Sequence, residues 1–223
     1  EARMFGCDVK AYFVKSLLQP QFELDDAAKL AYMLSIPMTV DMVDILSNTD
    51  VSRNPADRCY HCKKAVFKRI WELARADGYE VLCDGTNASD DVGERAGMRA
   101  LAELGVRSPL RECGLTKKEI RRLSCDAGLF THDKPSYACL ATRIPTGTAL
   151  TEELISRVEQ AEHVMHGVGF TDFRIRYYDG AARIQIPESQ FKSVIDKRKK
   201  IIDAVSPYFD AVFLDLVPRK TEV

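Results

Sequence analysis

The apolar residues of this chain change rhythm near residue 130, and that change limits what it can fold into. Before it, short strand-like runs alternate with stretches of helical period. Residues 9–14 (VKAYFV) read as a buried strand, 23–34 repeat apolar side chains at helical spacing, and 38–45 alternate at period two. Asn54-Pro55 offers an N-cap and a first-turn proline for a helix running to about Ala76 and stopping near Gly78. A short strand over 80–84 leads into the loop DGTNASDD, followed by a helix over 94–104. Thr116-x-x-Glu119 is a capping box for a helix that ends near Gly128. Strands alternating with helices predict an α/β fold with a parallel sheet and helices on its faces.

Residues 128–150, GLFTHDKPSYACLATRIPTGTAL, break the alternation, and a loop of that length in a small domain is usually functional or a linker. Beyond it Thr151 caps a helix to about His166, and 173–178 and 183–186 form two strands joined by a turn at Asp179-Gly180. A basic helix over 189–205 and a last strand over 211–216 complete an α-β-β-α-β unit, the pattern of a small α+β domain. The expected division is an α/β domain over 1–130, a loop over 131–150 and the α+β domain over 151–223.

Composition narrows the function classes. The 223 residues are 46% apolar and 29% charged, enough for a sizeable core. The net charge of -1 argues against a strongly basic nucleic-acid binder. No apolar run reaches the roughly 18 residues of a membrane span, and no cationic-then-apolar leader opens the sequence, so a cytoplasmic protein is expected. In that setting seven cysteines point to metal or redox chemistry before disulfides.

Cys59-x-x-Cys62 falls in the opening turns of the helix after Pro55. Positions i and i+3 share a helix face, and the positive end of a helix favours thiolate. Two thiolates are half of a zinc site or most of an iron–sulfur site; a dithiol redox pair or simple packing are the other readings. Cys139 lies in the long loop near Lys134 and Arg143, where a thiol is expected to be partly exposed and reactive. It reads as a nucleophile, a sulfur carrier, a third metal ligand, or a buried loop cysteine. Cys7, Cys83, Cys113 and Cys125 read as packing residues. His61, His132, His163 and His166 form no metal-ligand pattern.

The loop holding Asp84, Thr86 and Asn87, with Asp90 and Asp91, follows a strand, the edge where open α/β sheets bind ligands. Its oxygens suit Mg²⁺ or a ribose, and equally an Asx-rich turn. Arg174 and Arg176 alternate on one strand face and can present two forks to a phosphate, or simply a solvated face. Glu162 falls on the apolar stripe of its helix with Ile155, Val158 and Met165. A carboxylate there needs a partner, for which Arg174 or Arg176 is expected, unless it lies at the rim of the stripe.

NPADRCYHCKKAVF, CDGTNASDD, GMRAL and KPSYACLATRIPTG together resemble the LarE family, nearly to Leu216. The resemblance implies an ATP-dependent sulfur transferase of the PP-loop ATP pyrophosphatase superfamily. Its fold is the adenine nucleotide alpha hydrolase-like α/β sheet followed by a small α+β substrate-binding domain. The family matures the nickel-pincer nucleotide cofactor of lactate racemase. It adenylates the carboxylates of pyridinium-3,5-biscarboxylic acid mononucleotide with ATP and Mg²⁺ and converts them to thiocarboxylates.

By the same resemblance, Cys139 is the cysteine whose sulfur enters the product, leaving dehydroalanine in the sacrificial version. Arg143, Glu162, Arg174 and Arg176 match positions near the substrate carboxylates and phosphate. Asp84, Thr86 and Asn87 lie on the nucleotide side. In the variant used by related thiolases, Cys59, Cys62 and Cys139 would hold a [4Fe–4S] cluster that passes on sulfide. A homo-oligomer is expected, with a small nucleotide as substrate and no nucleic acid or membrane as partner.

Two departures stand out. The Ser-Gly-Gly-x-Asp-Ser phosphate loop of the superfamily is absent before Glu1, so the chain is expected to use ATP poorly. VPRKTEV stands where the family carries Gly-Tyr-Arg, leaving Arg219 as the candidate for that arginine. The alternatives are another PP-loop enzyme, a tRNA thiolase or amidotransferase-like protein, and a non-enzymatic zinc-stabilised module.

Overall fold

Val14, Ile70 and Leu82 form a buried centre in the first of two units into which the chain divides. The computed structural model describes residues 6–90 and 96–220. The first unit takes in residues 1–51 and 55–134, the second 52–54 and 135–223.

In the first unit β1 (Ala11–Lys15) and β2 (Met38–Met42) pair in parallel, Ala11 opposite Met38 and Lys15 opposite Met42, with α1 (Gln21–Met33) as the crossover. The period-two run stops at Met42 rather than 45. The Asp44 carboxylate accepts from Leu46 and Ser47 N–H at 3.2 and 3.3 Å and starts a 3₁₀ turn, Ile45–Ser47, that buries Ile45. One helical turn, α2 (Thr49–Ser52), follows.

The long helix α3 (Arg58–Ala76) packs Ile70 and Ala74 toward β1, and Gly78 at φ +87° ends it. Beside it lies α4 (Ala96–Glu103). A Cβ at Gly97 would stand 2.8 Å from the Lys63 Cδ, so glycine lets α4 rest on the Lys63 methylenes. The strand expected over 80–84 reduces to one parallel bridge, Cys83 with Arg107. The backbone turns away immediately after it, because the Asp84 carboxylate accepts the Thr86 N–H at 3.2 Å. Two more helices, α5 (Pro109–Glu112) and α6 (Lys117–Asp126), close the unit, and the Thr116/Glu119 capping box is formed as expected. The expected start of a helix at 94, and Asp91, lie outside the described residues.

In the second unit α7 (Glu152–Gly167) starts where Thr151 Oγ1 accepts the Leu154 N–H at 3.2 Å. It buries Ile155, Val158, Ala161 and Met165. The hairpin of β3 (Arg174–Tyr178) and β4 (Ala181–Gln185) turns at Asp179 and Gly180, both at positive φ, which a tight antiparallel turn requires. The basic helix divides into a 3₁₀ turn at Glu188–Gln190, α8 (Phe191–Asp196) and α9 (Arg198–Val205). The break falls at Lys197, whose ammonium leaves the helix face to donate to Val168 O at 3.1 Å. The last strand, β5 (Val212–Leu214), is shorter than expected and pairs in parallel with β4, giving the order β3-β4-β5. Ile175, Ile184 and Ile186 join the α7 residues in the core.

Asn54 does not cap α3. It is fully buried at φ +54°, and its Nδ2 donates to Pro145 O at 2.9 Å and Thr148 O at 3.0 Å. Asparagine tolerates the left-handed region and carries the two-donor amide this loop needs. Asp57 takes the N-cap position instead, its carboxylate meeting His61 Nε2 at 3.2 Å rather than capping the helix backbone.

Candidate active site

Cys139 stands at the head of a 3₁₀ turn, Leu140–Arg143, and is partly exposed. Leu140 and Ala141 are fully buried and anchor the turn. The Cys139 carbonyl accepts from Thr142 twice, from N–H at 2.9 Å and Oγ1 at 2.8 Å. The turn therefore offers the Cys139 side chain at its outer end while its backbone is held.

Arg143 closes the turn and is 1% exposed. Its Nη1 donates to Ala138 O and Thr142 Oγ1, both at 2.8 Å, and its Nε to Glu162 Oε1 at 2.9 Å. Glu162 also accepts the Ile175 N–H at 2.9 Å and the Tyr137 hydroxyl. The carboxylate on the α7 stripe is thus fully buried, and its partner is Arg143 rather than Arg174 or Arg176. It faces the end of the turn and the start of β3, where the Arg143 fork reaches both oxygens.

Arg174 and Arg176 reach the same loop elsewhere. Arg174 donates to Ser136 O and Phe173 O, and Arg176 to Thr142 O and Gln185 Oε1, both at 2.5 Å. The Tyr137 ring lies between two guanidinium groups, 4.4 Å from Arg143 and 5.1 Å from Arg174. Burial, and then the neighbouring charges of Arg143 and Arg219, bring Arg174 down to about 10. Arg176 is lowered by burial and then by Arg143, Arg183 and Arg219. Burial and the Glu162 carboxylate push the Tyr137 phenol up, so it stays a hydrogen-bond donor.

Sequence reasoning missed Tyr137, Asp172 and Asp215. Asp172 pairs with Arg219 and Asp215 with Arg183, each at 3.0 Å. Tyr137 sits two residues from Cys139, and a phenol next to a nucleophile was the available signal. Asp172 lies in a bend before β3 and Asp215 directly follows β5, and neither carries a local pattern.

The remaining candidates belong to the first unit. Asp84 accepts from Thr86 Oγ1 at 2.5 Å and Ser108 Oγ at 2.6 Å. Asn87 N–H donates to Asp90 at 3.0 Å. This network follows the Cys83 bridge, and Asp84 and Gly85 line a cavity of about 890 Å³ between β1 and residues 81–84, floored by Phe67, Ile70 and Ala74. Cys59 is exposed and Cys62 half-buried in the first turns of α3, with the Arg58 guanidinium 3.6 Å from the Cys59 sulfur. Cys7, Cys83, Cys113 and Cys125 are exposed, not packed; Cys83 borders the cavity rather than the core. Among the described residues no set of three or more His, Cys, Asp or Glu side chains is gathered for a metal, and no helix is long and apolar enough to cross a membrane.

No family profile matches the chain. It is 35% identical over 173 residues to an uncharacterised protein of Synechocystis sp., covering 78% of this chain and 65% of the relative. It is 32% identical over 183 residues to the pyridinium-3,5-bisthiocarboxylic acid mononucleotide synthase of Lactiplantibacillus plantarum, covering 82% of this chain and 66% of that protein. The chain belongs to the LarE family. An uncharacterised protein of Methanocaldococcus jannaschii is 26% identical over 205 residues, covering 92% of this chain and 78% of its own length. The chain spans just under two thirds of the length of the Synechocystis and LarE synthase relatives. Membership of the LarE family agrees with the mixed α/β architecture and its parallel strand pairs.

Proposed function

We propose that the chain is an ATP-dependent sulfur transferase that converts the carboxylates of pyridinium-3,5-biscarboxylic acid mononucleotide to thiocarboxylates through an acyl adenylate. The observation that carries the reading is the setting of Cys139. A partly exposed thiol heads a turn whose backbone is pinned by a buried Arg143–Glu162 pair, with two further arginines of β3 donating to the same loop. A nucleophile needs an accessible thiol on a fixed main chain.

In this reading the Cys139 sulfur attacks the acyl adenylate carbonyl, forming a thioester and releasing AMP. A base then removes the Cys139 α-proton. The C–H electrons form the Cα=Cβ bond, and the Cβ–S electrons leave with sulfur as the thiocarboxylate. Dehydroalanine remains. Arg174 and Arg176 bind the carboxylate and phosphate of the substrate as charge-assisted donors. Arg143 and Glu162 are positioning residues, because both are buried and each is engaged by the other.

The first unit would hold the nucleotide in a PP-loop-type fold. Mg²⁺ bound with nucleotide phosphates needs only one or two protein carboxylates, and Asp84, with the Thr86 hydroxyl beside it, fits that donor set. When bound, the ion supplies charge neutralisation at the phosphates. Cys59 and Cys62 offer two thiolates on one helix, and among the described residues no set of three His, Cys, Asp or Glu side chains is gathered, so no step is assigned to a [4Fe–4S] group on Cys59, Cys62 and Cys139.

The test is a sulfur-transfer assay with ATP, Mg²⁺ and the biscarboxylate nucleotide. Cys139→Ala should form no thiocarboxylate while melting at the wild-type temperature. A variant that keeps full activity refutes the role.

A further inference from the structure

Across the hairpin Arg176 stands directly opposite Arg183, and like charges facing each other on paired strands repel. Gln185 and Asp215 relieve that contact. Arg176 Nε donates to Gln185 Oε1 at 2.5 Å, and Gln185 Nε2 donates to Asp215 Oδ2 at 2.7 Å. Arg183 Nη2 lies 3.0 Å from the same carboxylate oxygen. Asp215 is itself well placed: its N–H donates to Ile184 O at 2.9 Å and continues the pairing of β5 with β4, and its Oδ1 accepts the Val217 N–H at 3.1 Å. Three donors, from Gln185, Arg183 and Val217, therefore fix the carboxylate.

Polarity runs one way along this chain of bonds. A guanidinium only donates and a carboxylate only accepts, so the amide between them has one favourable orientation, its oxygen toward Arg176 and its NH₂ toward Asp215. Turned over, it would set two donors against each other at Arg176 and two acceptors at Asp215. Asp215 thus decides which end of Gln185 meets Arg176. With Nε on Gln185 and Nη1 on Thr142 O at 2.5 Å, the Arg176 guanidinium is fixed in its plane, and Nη2 takes part in neither bond. Because Gln185 is neutral, it orients the fork without cancelling its charge. A glutamate there would hold Arg176 as firmly and leave less charge for an anion.

We propose that Gln185 and Asp215 are positioning residues for Arg176, setting the direction of its fork and leaving its charge available for an oxyanion of the substrate. The inference rests on reading Arg176 as a substrate-binding residue. It adds that the anion affinity of this strand face is set by two side chains that act through the arginine rather than on the anion.

The test is equilibrium binding of pyridinium-3,5-biscarboxylic acid mononucleotide to the whole chain, followed by calorimetry without ATP so that no turnover intervenes. Gln185→Leu and Asp215→Asn should each weaken binding by about tenfold, the lower end of what a hydrogen bond to a charged group is worth. The sign for Asp215→Asn is diagnostic, since removing a negative charge would by itself favour an anion. Gln185→Glu should also weaken binding, although it keeps the acceptor. In an Arg176→Met background, Gln185→Leu and Asp215→Asn should lower the affinity no further, because both act through that arginine. Losses that persist in full without Arg176, or an Asp215→Asn variant that binds as tightly as wild type or more so, overturn the inference. A wild type that does not bind the nucleotide overturns the substrate reading and the inference with it. The sulfur-donor reading fails separately, through an active Cys139→Ala.

Discussion

Glu162 and Arg143, both closed off from solvent, are joined by an Nε–Oε1 contact of 2.9 Å, and through that pair a helix, a strand and the Cys139 turn are tied together. Glu162 comes from α7, takes the Ile175 N–H of β3, and holds the arginine that grips Ala138 O. A buried pair of this kind contributes little net stability against an apolar replacement. Breaking it leaves a buried charge without compensation.

Glu162→Leu alone should therefore destabilise the protein by about 3–5 kcal/mol. Glu162→Leu combined with Arg143→Met should recover a large part of that loss. Denaturant unfolding of the two variants checks this; equal losses in both would show that the pair is not the source of the cost.

Tyr137→Phe should cost about 1–3 kcal/mol, because it removes a donor from a buried carboxylate while keeping the ring between the arginines. Oε2 of Glu162 is then left with the Arg143 Nη2 contact at 3.3 Å. Thermal melting is the readout, and an unchanged melting temperature would remove the phenol from the network.

The order of elements was legible in the sequence because it follows from apolar period and capping chemistry. Thr116/Glu119 and Thr151 cap where expected, and the hairpin turns at Asp179-Gly180. What the sequence concealed was tertiary. Asn54 looks like a helix cap, yet it is drawn into the left-handed region by three carbonyls about ninety residues away. The stripe of α7 showed that Glu162 needed a cation. Nothing local could say that Arg143 was closer than Arg174 or Arg176.

Acid should loosen the arginine face through Asp215. The Gln185 amide, and then the Val217 N–H and the Arg183 guanidinium, hold its carboxyl below the usual range, against the effect of burial. With the folded value lowered, the contribution is present above the ordinary aspartate range and is lost as pH falls through the depressed value. Wild type should exceed Asp215→Asn in melting temperature near neutrality, and the two should converge in acid. A gap that persists at low pH contradicts this.

Cys59→Ala should leave sulfur transfer from Cys139 intact. If that variant instead loses all transfer while keeping its fold, the thiolates of α3 take part, and cluster-borne sulfur becomes the better account.

The most direct measurement is the mass of the peptide carrying Cys139 after one turnover with ATP, Mg²⁺ and the biscarboxylate nucleotide, read alongside the thiocarboxylate product. The account predicts dehydroalanine at Cys139 in step with product, however slowly product forms. Product that accumulates with Cys139 unchanged would contradict it.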